Sequence, residues 1–119
     1  MPLGNLILAS SLSAGSFILL RRILLHSRGG PTMDELTALK SAGTQIVDVR
    51  TPAEFAQGHA AGSVNIPLDQ FRNRIMEIDP ALPVLVCCAS GTRSGMAKKI
   101  LEQAGFRQVH NAGKWSRLN

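Results

Sequence analysis

The sequence predicts an α/β fold built on a parallel sheet, and three observations carry the prediction. Two short runs, Gln45–Val49 (QIVDV) and Val84–Cys87 (VLVC), are β-branched and apolar almost throughout, the pattern of strands covered on both faces. Segments with helical spacing and capping signals stand between and after them. The chain has 119 residues, 45% of them hydrophobic, enough for one domain that buries its core without disulfide or metal staples.

The elements follow in order. Residues 1–30 read as a hydrophobic N-terminal helix and linker, and residues 31–119 as the folded domain. Residues 3–20 carry no charged side chain, and Arg21 and Arg22 follow at once. A helix of that length rises about 27 Å, close to the ~30 Å hydrocarbon core of a bilayer. With the basic pair after the run, the expected arrangement is a membrane anchor with the domain on the cytoplasmic side. The alternative is a soluble cytoplasmic protein whose helix packs on the domain or on a second copy. Gly29-Gly30-Pro31 is the linker, and Thr32-Met33-Asp34-Glu35 is a capping box that opens a helix running to about Ser41, stopped by Gly43. After the strand at 45–49, Thr51-Pro52-Ala53-Glu54 is a second box with proline at the first helical position, its helix ending near Gly58. Ser63–Ile66 is a small strand, and Leu68, Phe71 and Ile75 have helical spacing. The strand at 84–87 leads to a helix over Ser94–Gln103. A short strand over Arg107–His110 and a final helix of about one turn complete the chain.

Composition excludes several classes. Adjacent Cys87 and Cys88 cannot form a disulfide framework, and no Cys/His set has metal-ligand spacing, so no metal and no cofactor is expected. The net charge is +5, but residues 1–30 supply Arg21, Arg22 and Arg28 with no acid, leaving the domain nearly balanced. With aromatic residues at 4% and no basic stripe, nucleic acid is not an expected partner.

Chemistry concentrates in Cys88-Ala89-Ser90-Gly91-Thr92-Arg93-Ser94, where an apolar strand gives way to a small-residue loop and then a helix. Ligands of open α/β sheets bind beyond the carboxyl ends of strands, which is where Cys88 falls. Amides of a loop so small can converge on one point, the helix start aims its positive end there, and Arg93 adds a cation. All three favour thiolate over thiol, so Cys88 is the expected nucleophile, and Ala89, Ser90, Gly91, Thr92, Arg93 and Ser94 the cradle for an anionic substrate. Cys87 lies inside the strand, pointing opposite to Cys88, and reads as a buried structural thiol. Asp48 and Arg50 read as scaffold at the end of the first strand. His59 reads as bonded to the backbone of its own turn, and Trp115 as a lid on the core.

These residues resemble the rhodanese family of sulfurtransferases. Cys88-Ala-Ser-Gly-Thr-Arg93-Ser94 is similar to the family's Cys-x-x-Gly-x-Arg-Ser loop. The stretch Ile46-Val-Asp-Val-Arg-Thr-Pro-Ala-Glu-Phe55 also matches, as does Gly58-His59-Ala-Ala-Gly62-Ser-Val-Asn65-Ile66-Pro67. Gly105-Phe106 and Asn111-Ala112-Gly113 continue the likeness, which covers about residues 32–118. The resemblance implies a small parallel sheet flanked by helices. It also implies that Cys88 takes a sulfane sulfur from a donor such as thiosulfate, holds it as a persulfide and passes it to a thiophilic acceptor. That acceptor is a thiol, cyanide or a sulfur-acceptor protein. Two departures stand out: HSRGG occupies the place of the family's first edge strand, and Lys114 replaces a second glycine. Two alternatives use the same loop: a membrane-tethered persulfide carrier or sensor acting on a partner protein, and a Cys-dependent phosphatase, whose loop is one residue longer and would count from Cys87.

Overall fold

The computed structural model describes residues 29–119. The hydrophobic helix expected over residues 3–20 lies outside the described residues, and among these no helix is long and apolar enough to cross a membrane. The predicted α/β class is what folds: four parallel strands with helices on both faces, in the order β2-β1-β3-β4.

Helix α1 (Met33–Ser41) begins at the capping box read from the sequence. The Glu35 amide donates to Thr32 Oγ1 at 3.2 Å, and the Thr32 amide donates to the Glu35 carboxylate at 3.3 Å. Strand β1 (Gln45–Asp48) follows, and α2 (Pro52–Gln57) starts at the Thr51–Glu54 box. Strand β2 is short (Val64–Asn65). The segment expected as one helix over Leu68–Ile75 is instead a 3-10 turn (Leu68–Gln70), one turn of α3 (Phe71–Arg74) and a second 3-10 turn (Ile75–Glu77). Its apolar positions are spaced three and four apart, which both helix types accept while pointing Phe71 into the core. Strand β3 (Val84–Cys88) is buried along its whole length and leads to α4 (Thr92–Gln103). The last strand differs from expectation: β4 runs over Val109–Lys114, not Arg107–His110, and a 3-10 turn (Trp115–Leu118) closes the chain.

The sheet divides the core in two. On one face Val47, Val49, Ile66, Phe71, Val84, Val86 and Cys88 pack with Ala97 and Leu101 of α4. On the other, Ile46, Leu85, Cys87 and Ala112 pack with Leu36 and Leu39 of α1 and with Leu118. Burying a side chain such as Phe71 or Leu85 stabilises the fold by roughly 1.5–3 kcal/mol. The chain leaves β1 for β2 on one side and returns to β3 on the other, so the carboxyl ends of β1 and β3 bound the crevice where the winding reverses.

Candidate active site

Cys88 is the last residue of β3, at the head of that crevice. Residues 89–91 turn the chain, and α4 starts at Thr92, two residues before the predicted position. Gly91 caps this helix with φ +106°, in the left-handed region that favours glycine. A Cβ there would come within 3.3 Å of the Gly113 Cα and 3.8 Å of the Asn111 amide nitrogen, so the loop lies tightly against β4.

The adjacent thiols differ because a strand alternates its faces. Cys87 points into the cluster with Leu36, Leu85 and Leu118, and burial pushes its thiol up to about 12, with the nearby Asp48 charge adding to the rise. Cys88 points the other way, and its Sγ accepts from the Gly91 amide at 2.9 Å and stands 3.3 Å from Ser94 Oγ. Burial pushes this thiol up too. The Ser94 hydroxyl and the amides of Ser94, Ser90 and Gly91 outweigh it and hold Cys88 below the ordinary thiol value. A concave set of amides at a helix start is also a cradle for an anion.

Ser94 is fully buried and leans on Asn111 of β4. Its Oγ lies 2.7 Å from Asn111 Oδ1, which also accepts the Gly113 amide at 2.9 Å. Asn111 Nδ2 donates to the Gly91 carbonyl at 3.0 Å. Asn111 sits opposite Val86 across the β3–β4 ladder, so it shares the sheet face to which Cys88 points. A register shift between Val86 and Cys87 then lets Gly113 oppose Cys87.

Arg93 is half-buried, and its guanidinium is committed. Nη1 and Nη2 donate to the two Glu54 carboxylate oxygens at 2.7 and 2.9 Å, a fork that spans from α4 to α2. Arg93 holds the Glu54 carboxyl at about 2, helped by the Thr51 amide. The groups that lower Cys88 against its burial are the Ser94 hydroxyl and the loop amides, while the Arg93 cation, expected from the sequence to share in that acidity, is paired with Glu54. Ala89, Ser90 and Thr92 form an exposed, small, neutral rim. A cleft of about 440 Å³ opens on the Arg93 side of the loop, lined by Val49, Pro52 and Leu68. Another of about 470 Å³ opens beside Ser90 and Thr92, with Lys98, His110 and Arg117 on its wall.

Asp48 and Arg50 brace this floor. Arg50 Nε donates to both Asp48 oxygens at 3.0 Å and Nη2 to one of them at 2.8 Å. Nη2 also holds the Gly58 carbonyl at 2.7 Å, and Trp115 covers the guanidinium at 4.7 Å. His59 Nδ1 bonds the Phe55 carbonyl at 2.8 Å, within its own turn, and its ring stacks on Phe55. Among the described residues, no cluster of His, Cys, Asp or Glu is placed to share a metal ion.

Two residues were missing from the site read from sequence. Glu54 reads from the sequence as a helix cap, which it also is, and Asn111 only as part of the stretch that continues the family likeness. A signal for Asn111 is its place, an amide directly after Arg107–His110, the run that the sequence marks as the last strand.

The family model described as "Rhodanese-like domain" matches residues 32–113. The thiosulfate sulfurtransferase PspE of Escherichia coli is 42% identical over 69 residues, 56% of this chain and 66% of that protein's length. The thiosulfate sulfurtransferase GlpE of Pseudomonas aeruginosa is 33% identical over 78 residues, 66% of this chain and 71% of that one. Among solved structures, a rhodanese with anions from E. coli superposes with a TM-score of 0.58 at 37% identity, covering 62% of this chain and 89% of the other.

Proposed function

The chain belongs to the rhodanese-like domain family, and from that premise we propose that it is a sulfurtransferase working through a persulfide on Cys88. The observation that carries the reading is the pair of thiols. Cys88 Sγ sits in a ring of donors at the strand end, while Cys87 is turned into the opposite core with its thiol pushed up to about 12.

In this reading the Cys88 thiolate attacks the sulfane sulfur of a donor such as thiosulfate. The sulfur–sulfur bond of the donor breaks, sulfite leaves with the electron pair, and Cys88 carries the outer sulfur as a persulfide. An acceptor thiolate or cyanide then attacks that outer sulfur, takes it, and returns Cys88 as thiolate. The amides of Ser90, Gly91 and Ser94 stabilise the sulfur anion at each stage, because they are fixed before charge develops. The exposed rim of Ala89, Ser90 and Thr92 and the fork of Arg93 face the donor's anionic end. Arg93 already holds Glu54, so an anionic donor competes with a carboxylate for it.

The uncharged run over residues 3–20, followed by Arg21 and Arg22, supports a membrane tether with the domain on the cytoplasmic side. The phosphatase reading counts its loop from Cys87, and that sulfur's turn into the core face away from the loop, with its thiol pushed up to about 12, weighs against it. The test compares Cys87→Ala with Cys88→Ser in a thiosulfate and cyanide assay and with an aryl phosphate. Sulfur transfer survives the first change and is abolished by the second. Phosphate hydrolysis that depends on Cys87 overturns both the residue and the reaction.

A further inference from the structure

Asn111 is fixed at both ends of its amide. The Gly113 N–H requires an acceptor, which makes the near atom oxygen, and the Gly91 carbonyl requires a donor, which makes the other atom nitrogen. Ser94 Oγ, 2.7 Å from that oxygen, can only be the donor there. A serine hydroxyl has one proton. While Ser94 gives it to Asn111, the side facing Cys88 Sγ at 3.3 Å presents lone pairs. Lone pairs suit a thiol, which can donate its own S–H to Ser94, and repel a thiolate.

We propose that Asn111 is a positioning residue that holds the Ser94 proton away from Cys88 while the sulfur is a thiol and yields it when the sulfur becomes anionic. The proton leaving Cys88 goes to solvent, and Ser94 keeps its own proton and only re-aims it. Asn111 Oδ1 retains the Gly113 amide in the second arrangement, so no buried acceptor is orphaned and the turn is cheap. The amides of Gly91, Ser90 and Ser94 serve the sulfur in both arrangements, but the hydroxyl serves it in only one. Ser94 is fully buried, so no bulk water competes for its proton. Asn111 thereby raises the acidity threshold of Cys88. It holds the loop in register as well, through the Gly91 carbonyl.

The proposal rests on Cys88 being the reactive thiol, and its test does not require sulfur transfer. The full chain carrying Cys87→Ala, which removes the other thiol, is alkylated with iodoacetamide across a range of pH to give the Cys88 pKa. Asn111→Ala frees the Ser94 proton and lowers that pKa by about half a unit to one unit, the size of one neutral hydrogen bond on the pKa scale. Ser94→Ala raises it, and adding Asn111→Ala to Ser94→Ala shifts it far less than Asn111→Ala does alone. An Asn111→Ala shift of equal size in both backgrounds, no shift, or an upward shift with Ser94 present overturns the proposal, because a loosened loop would act on the sulfur without Ser94. If Asn111→Ala does not fold, Asn111→Asp keeps the acceptor and strengthens it. It raises the Cys88 pKa more with Ser94 present than with Ser94→Ala, and equal rises refute the linkage. A mass gain on thiosulfate treatment of the same chain reports separately on the persulfide.

Discussion

Replacing Asp48 by asparagine tests whether the floor of the site is held by charge. Asp48 is fully buried and Arg50 is 5% exposed, so neither is rescued by water when its partner is lost. The carboxylate receives Arg50 Nε, Nη2 and the Arg50 backbone amide. An asparagine in its place could accept through one oxygen only and would point N–H donors at the guanidinium. Arg50 would keep the Gly58 carbonyl at 2.7 Å, the Glu54 carbonyl at 3.4 Å and the Trp115 face. Breaking such a buried pair on one side costs about 3–5 kcal/mol. For a domain of this size the low ends of that range and of the usual conversion lower the unfolding midpoint by at least about 12 °C. Trp115, the sole tryptophan, lies against the guanidinium, so its fluorescence through a thermal or urea transition reads the loss directly. Asp48→Asn combined with Arg50→Met, which removes the stranded charge, recovers part of the stability. A loss under about 1 kcal/mol for the single variant would refute the assignment, given what a buried charge costs alone. So would a double variant no more stable than the single one.

Four further outcomes follow. Glu54→Gln releases Arg93 while keeping an oxygen for the Thr51 cap, so the KM for thiosulfate falls several-fold with little change in kcat. The Glu54 carboxyl sits at about 2, so the ion pair is whole above the ordinary carboxyl range and is lost only as pH falls through that value; a thiosulfate KM profile between pH 5 and pH 8 shows no step from it. Burial, and then the Lys98 charge, lower the His110 pKa, so its contribution is present above about 6.5 and is lost as pH falls through the lowered value; His110→Gln flattens that acid limb in urea titrations. The full-length chain pellets with membranes and requires detergent for extraction; a chain that stays in the supernatant without detergent contradicts the tether.

The parts of this fold legible in the sequence are those whose signals are local. Val84–Cys88 shows its burial in an unbroken apolar run and Gln45–Asp48 in its β-branched centre, Ile46-Val47, with Val49 just beyond, and both capping boxes lie within four residues. Strand β4 was displaced because Asn111, Ala112 and Gly113 have the composition of a turn. Pairing with β3 overrides that preference and absorbs the mismatch in a register shift. The Leu68–Glu77 segment kept its apolar face while changing helix type, which spacing alone does not distinguish. The site divides along the same line. Cys88, Gly91 and Ser94 lie within seven residues and could be read together. Arg93 meets Glu54 across 39 residues, and Ser94 meets Asn111 across 17. No local pattern encodes such pairs, so the cation in the loop looked free when it is shared.

The most direct test of the central claim is the intact mass of the chain after thiosulfate treatment and removal of excess donor. Wild type and Cys87→Ala each gain about 32 Da, one sulfur held as persulfide on the attacking thiolate, and the gain is lost on adding cyanide. Cys88→Ser gains nothing. A gain that persists in Cys88→Ser, or one that vanishes in Cys87→Ala, contradicts the account.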